Sequence, residues 1–230
     1  MFNTYWVRFN NYKGMTREKC IQNSKNIIDA AKMAGVKKMI YSAHTQLDVH
    51  SPLDYIRGKS EVAEYLRQSG LEYGIVKPCA IFGDTPQESI VVNNICYFMR
   101  LFPVFTMPGD ISKYHLQPVH VRDMSELMVD AALDDSKTKY EVDAVGELYT
   151  LEEFLNNIKR ILGLRRYILS GVPLDVCYYG SKPIDYIFND KFVERDDLLL
   201  MTEGYTRSFD PPTGNRKLTD FLEQYKDTIG

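Results

Sequence analysis

A tyrosine and a lysine held on one surface can share acid/base chemistry, and this chain spaces the two four residues apart in three places: Tyr55 with Lys59, Tyr73 with Lys77, and Tyr178 with Lys182. A free tyrosine, with a pKa near about 10, is a poor base at neutral pH, and a neighbouring ammonium favours its phenolate. Lowering that pKa by about two units corresponds to roughly 2.7 kcal/mol. With 16 tyrosines in the chain, spacing alone selects none of the three pairs. Tyr73 and Lys77 lie in LEYGIVKP, an apolar run closed by proline that predicts a strand, where residues four apart are separated by roughly 13 Å. Tyr178 and Lys182 straddle Gly180 and precede Pro183, which argues against helical geometry between them. Tyr55 and Lys59 stand at the start of a predicted helix, which stacks such residues about 6 Å apart on one face. That helix is read from Ser51 and Pro52 at its start, Val62, Ala63 and Leu66 as its apolar stripe, and Gly70 as its stop.

Other chemistries find little support. The formal net charge of −3 over 230 residues gives no field for nucleic acid or acidic lipid. Cys20, Cys79, Cys96 and Cys177 fall at no metal-ligand spacing and read as reduced core thiols, while His115 and His120 are five apart, so no metal site is expected. No stretch approaches the apolar length of a membrane span, which predicts a soluble, cytoplasmic protein.

The elements that must position the pair follow from the pattern. MFNTYWVRF predicts a strand, Thr16 caps a helix to about Ala34 with Ile21, Ile27, Ile28 and Ala31 inward, and VKKMIYS predicts a buried strand. The Tyr55 helix and the strand EYGIVK complete a strand, helix, strand, helix, strand order, an α/β arrangement with a parallel sheet covered by helices on both faces. Beyond Pro78, VVNNICYFMRLF predicts a helix and PVFTMPGD turns. HLQPVHVRDMSELMVDAAL predicts a short strand entering a helix with Asp123 near its N-terminus, KYEVDAVG a strand, and TLEEFLNNIKRILG a helix with a Thr150/Glu153 capping box. Residues 164–230 read as irregular structure and helices. The domain division expected is 1–83 and 84–230, with one strand and helix of the second part returning to the first.

In order along the chain, NSKNIIDAAKMAGVKKMIYS, YIRGK, KPCAIFG and LQPVHVRDM resemble motifs of the short-chain dehydrogenase/reductase superfamily, in its extended and atypical branch of nucleotide-sugar epimerase-like proteins. The chain is also similar to the accessory subunit of respiratory complex I that belongs to this branch. Lys77 and Phe82 depart conservatively from the family's Arg-Pro-x-x-x-Tyr-Gly segment. The resemblance implies a Rossmann-like fold with a smaller C-terminal substrate-type domain and NAD or NADP as cofactor. It makes Tyr55 the general acid/base and Lys59 its electrostatic partner and ribose ligand. It places Ser42, Tyr55, Lys59, Pro78, Ala80 and Ile81 on the cofactor and Asn94 on the substrate, a small molecule of the nucleotide-sugar class; Asn93, Arg100 and Gln117 are further candidates for sugar or phosphate oxygens. The family's third catalytic group, a hydroxyl beyond KKMIYS, falls near His44, with Ser42 and Thr45 on either side and Thr45 preferred.

One part of the pattern is missing. No two glycines are closer than Gly70 and Gly74, so the Gly-x-x-Gly turn that receives a dinucleotide pyrophosphate is absent from this sequence. MFNTYWV matches the fourth strand of the fold, which predicts an N-terminally incomplete Rossmann sheet with residues 2 to 9 as an open edge, available for self-association or a protein partner. Binding of either dinucleotide by this chain alone is expected to be no tighter than roughly millimolar. Two readings stay open: an NAD(P)-dependent oxidoreductase or epimerase/dehydratase-like protein, or a noncatalytic descendant used in binding or assembly.

Overall fold

In a computed structural model, which describes residues 1–7, 9–10, 14–189 and 191–230, the first strand is far shorter than its composition predicts. Strand β1 is Phe2–Asn3 alone, paired in parallel with Ile40 and Tyr41. The Asn3 side chain accepts from Tyr5 N at 3.1 Å, a local turn that competes with the ladder and bends the chain away. The open edge expected over residues 2 to 9 therefore shrinks to two residues, and Arg8 of that stretch lies outside the described residues.

Helix α1 (Arg17–Met33) begins where Thr16 accepts from Lys19 N at 3.2 Å and is left at Gly35, whose φ of +71° suits a residue without Cβ. Its inward face is Cys20, Ser24, Ile28 and Ala31, while Ile21 and Ile27 are only partly covered. Strand β2 (Lys38–Ser42) is buried at every position, as expected of a central parallel strand. Helix α2 (Asp54–Gln68) has Leu53 at its N-cap; Ser51 does not cap it, its hydroxyl accepting instead from Leu53 N. Strand β3 (Glu72–Pro78) pairs in parallel with β2.

Next come β4 (Ile81–Phe82), α3 (Ile90–Leu101), β5 (Val104–Pro108), β6 (His115–Leu116), β7 (Val119–His120), α4 (Val121–Leu133) and β8 (Lys139–Ala144). They are followed by β9 (Tyr149–Thr150), α5 (Leu151–Ile161), β10 (Tyr167–Val172), α6 (Leu174–Phe188), α7 (Arg195–Thr202) and α8 (Leu218–Gln224). The Thr150/Glu153 capping box forms as its spacing predicts. Two readings are corrected. The turn-rich PVFTMPGD and the irregular stretch after residue 164 contain β5 and β10, which pair with each other in parallel and so are strands only because of a distant partner. Helix α6 runs through Gly180 and Pro183, and Ser181 Oγ donates to Tyr178 O inside it at 2.7 Å.

The chain divides into two compact units, Met1–Pro78 with Met124–Ala144, and Cys79–Asp123 with Val145–Gly230. The first holds an all-parallel sheet in the order β1-β2-β3-β8. Its core joins Ile28 and Ala31 of α1, Met39 and Tyr41 of β2, Val62 and Leu66 of α2, and Ile75 of β3. Gly74, in the middle of β3, lets α4 approach the sheet, since a Cβ there would stand 2.8 Å from Ile40 Cδ1 and 3.0 Å from Ala131 Cβ. The second unit has its own core, built on Phe82, Met99, Phe154, Leu155, Ile158 and Phe221. Among the described residues no helix is long and apolar enough to cross a membrane.

Candidate functional site

Helix α2 carries Tyr55 in its first turn and Lys59 one turn later. Lys59 is 4% exposed, and its ammonium donates to the main-chain oxygen of Ser42, at the end of β2, at 2.8 Å. Two aromatic rings enclose the rest of it: Nζ lies 4.7 Å from the Trp6 ring centroid and 5.4 Å from that of Tyr41. Burial pulls the Lys59 pKa down to about 7, against the preference of both ring faces for the charged form. The indole reaches this position because residue 58 is glycine. A Cβ on Gly58 would meet Trp6 Cη2 and Ile21 Cδ1 at 3.1 Å each.

Tyr55 is half-buried among three side chains of the same unit. The His44 ring stands edge-on at 5.5 Å, the Trp6 ring edge-on at 6.0 Å, and the Arg17 guanidinium lies 5.7 Å from the Tyr55 ring centroid. His44 is neutral at pH 7, because burial lowers its pKa to about 4. Its Nδ1 lies 2.8 Å from Thr45 O. A carbonyl only accepts, so Nδ1 carries the hydrogen and Nε2 presents a lone pair. Thr45 itself is fully buried, with its N–H donating to Pro78 O at 3.1 Å. Ser42 contributes its carbonyl to Lys59.

Trp6 Nε1, Tyr41 Oη and Asn3 Nδ2 are buried without a hydrogen-bond partner among the described residues. An unmade hydrogen bond of this kind costs about 1–3 kcal/mol. Among the described residues Lys59 makes a single hydrogen bond of the three its ammonium can donate.

The remaining predicted residues lie apart from these in the chain. Pro78 ends β3, buried; Ala80 is buried beside β4, Ile81 is partly covered within it, and Asn94 is half-buried on α3, all three in the second unit. Three polar candidates have structural occupations there. Asn93 Oδ1 accepts from Gly230 N, Arg100 donates to the carbonyls of Lys226 and Ile229, and the buried Gln117 bridges Gly146 O and Ser208 N. Of the other tyrosine-lysine spacings, Tyr73 and Lys77 lie along strand β3 as expected, and Lys77 pairs there with Asp143. Lys182 does stack on Tyr178, 4.2 Å from the ring centroid, contrary to expectation, but its ammonium is held by Asp185 and Val193 O near the surface. Trp6 and Tyr41 were not legible as site residues. Gly58, next to Lys59, was the one signal that something approaches the helix closely.

The second unit also carries a groove of about 330 Å³ lined by His120 and by charged residues including Asp84, Arg122, Arg216 and Lys217. Its cations are partly spent, Arg122 on Asp84 and Arg216 on Asp123.

The model of the NmrA-like family matches residues 6–165. Among solved structures, the chain is similar to the triphenylmethane reductase of Citrobacter sp., with a TM-score of 0.75 at 11% identity over 99% of this chain and 76% of that one. It is similar to a nucleoside-diphosphate-sugar epimerase from Staphylococcus aureus, with a TM-score of 0.70 at 13% identity, covering 90% and 72% of the two chains. The NADPH-dependent quinone oxidoreductase of Escherichia coli, solved with NADPH, gives a TM-score of 0.69 at 15% identity, covering 90% and 71%.

Proposed function

The chain belongs to the NmrA-like family, and we propose that within it the protein is an NAD(P)-dependent oxidoreductase or epimerase-type member of the extended short-chain dehydrogenase/reductase branch, with Tyr55 as the proton-transfer group. The observation that carries this reading is the pair itself: Tyr55 and Lys59 one helical turn apart, the lysine buried and hydrogen-bonded to the end of a parallel strand. The nicotinamide group, when bound, would accept or give a hydride. Tyr55 Oη moves the matching proton to or from a substrate oxygen. Lys59, charged below about pH 7, favours the phenolate and has N–H directions left for ribose hydroxyls. His44, neutral and with a lone pair on Nε2, accepts a hydrogen bond and orients the hydroxyl that reacts. The residues present fit the nicotinamide riboside half of a dinucleotide through Lys59, whose ammonium has N–H directions left beyond its bond to Ser42 O.

A second reading, a noncatalytic descendant acting in binding or assembly, is favoured by the covering of Lys59. Consumption of NADPH or NADH in the presence of quinones, triphenylmethane dyes and nucleotide sugars separates the two. Under the catalytic reading Tyr55→Phe lowers turnover about a hundredfold or more and leaves nucleotide affinity nearly intact. Unchanged turnover in the variant removes Tyr55 from the mechanism. Absence of turnover by the unaltered chain across the panel favours the second reading.

A further inference from the structure

We infer that Trp6 is an internal gate on the cofactor site: its indole occupies the face of Lys59 that a ribose diol must reach, and the diol binds only when the indole leaves. The inference rests on the cofactor reading above and adds the residue that controls access to that site.

Four observations of one unit converge on it. Lys59 is almost fully buried although its ammonium spends one hydrogen bond, so the covering is made by rings and not by polar partners. With its centroid 4.7 Å from Nζ, the Trp6 ring fills the space in which a hydroxyl oxygen at about 2.8–3.0 Å would have to sit. The place on α2 over which the indole lies is opened by Gly58, where a Cβ would crowd Cη2. The closed position is also imperfect, since Nε1 is buried without a hydrogen-bond partner among the described residues. An indole held by ring contacts, with an unpaired donor, is suited to swing aside.

The charge state of Lys59 follows the same geometry. With the indole in place the ammonium is desolvated and its pKa is drawn down to about 7; with the indole away and a diol hydrogen-bonded to it, the charged form is favoured. Opening the gate and charging the lysine are thus coupled.

The test uses the full chain and two variants. Trp6→Ala removes the gate, and Gly58→Ala keeps the tryptophan but displaces it from the helix. Acetylation of Lys59 by acetic anhydride at about pH 8, where an amine of pKa near 7 is neutral and nucleophilic, is followed by peptide mass spectrometry. Lys38, buried on β2 with its ammonium on Ala131 O and Asp134 O, serves as the internal control for intact folding. In parallel, NADPH and NADH are titrated into each protein by calorimetry. The expected result is Lys59 acetylated at least about tenfold faster in both variants with Lys38 unchanged, dinucleotide bound about tenfold more tightly by Trp6→Ala than by the unaltered chain, and bound dinucleotide protecting Lys59. Equal acetylation in all three proteins overturns the gate whatever the dinucleotides do. Faster acetylation with equal dinucleotide affinity overturns the gate and leaves the cofactor reading standing. Faster acetylation with no binding or protection by either dinucleotide overturns both.

Discussion

Replacing Lys59 by methionine is expected to stabilise the first unit in acid and neutral solution and to lose that advantage in alkali. Burial takes the lysine from 10.5 down to about 7, a drop of about 3.5. At roughly 1.36 kcal/mol per pH unit, the cost of holding it charged in the folded state approaches 5 kcal/mol as a ceiling, large against a typical domain stability of about 5–15 kcal/mol. The sign follows from proton counts. Below about pH 7 folded and unfolded chains both carry the proton, so the folded state bears the whole penalty. Between about 7 and 10.5 only the unfolded chain keeps it, and raising the pH stabilises the wild type by up to about 1.4 kcal/mol per unit. Above 10.5 both forms are neutral and the penalty is gone. Methionine fills a similar volume and titrates nowhere, so the advantage of the variant should shrink steadily as pH rises through that window. It does not begin at the full ceiling, because the bond to Ser42 O, worth about 1.5–3 kcal/mol for a charged donor, is lost as well. Urea unfolding at a series of pH values between about 6 and 10 gives the two profiles, followed by the fluorescence of Trp6, the single tryptophan of the chain and a reporter on this unit alone. Parallel profiles for wild type and variant would refute the burial of Lys59 on which the site rests.

Two further outcomes concern the same unit. His44, lowered by burial from 6.5 to about 4, must be charged as the fold is acidified, so stability is lost as pH falls from about 6.5 to 4, by at most about 3 kcal/mol, and His44→Gln should flatten that part of the Trp6 unfolding profile. Gly74→Ala drives a methyl into Ile40 and Ala131 and should cost about 1–3 kcal/mol in urea unfolding; a neutral result would mean that α4 does not press on β3 as described.

The sequence by itself determined the features whose causes are local. Thr16 and the Thr150/Glu153 box start their helices because a cap and its partner are three residues apart. Central strands β2 and β3 are recognisable because both faces of a buried strand must be apolar. Tyr55 and Lys59 share a face because helical periodicity puts them there. Only the tertiary structure decided what long-range partners dictate. Strands β5 and β10 lie about sixty residues apart and exist through each other, while β1 ends early because Asn3 prefers its own turn to the edge of a sheet. His44, beside the expected hydroxyl in sequence, is set edge-on against Tyr55, and Thr45 is held inside with its N–H on Pro78 O. Above all, the lysine that the family resemblance makes the partner of Tyr55 and a ribose ligand is a buried amine beneath Trp6, fifty-three residues away in the chain. No local pattern can reveal that, because burial, and with it the charge of a lysine, is a property of everything folded around it.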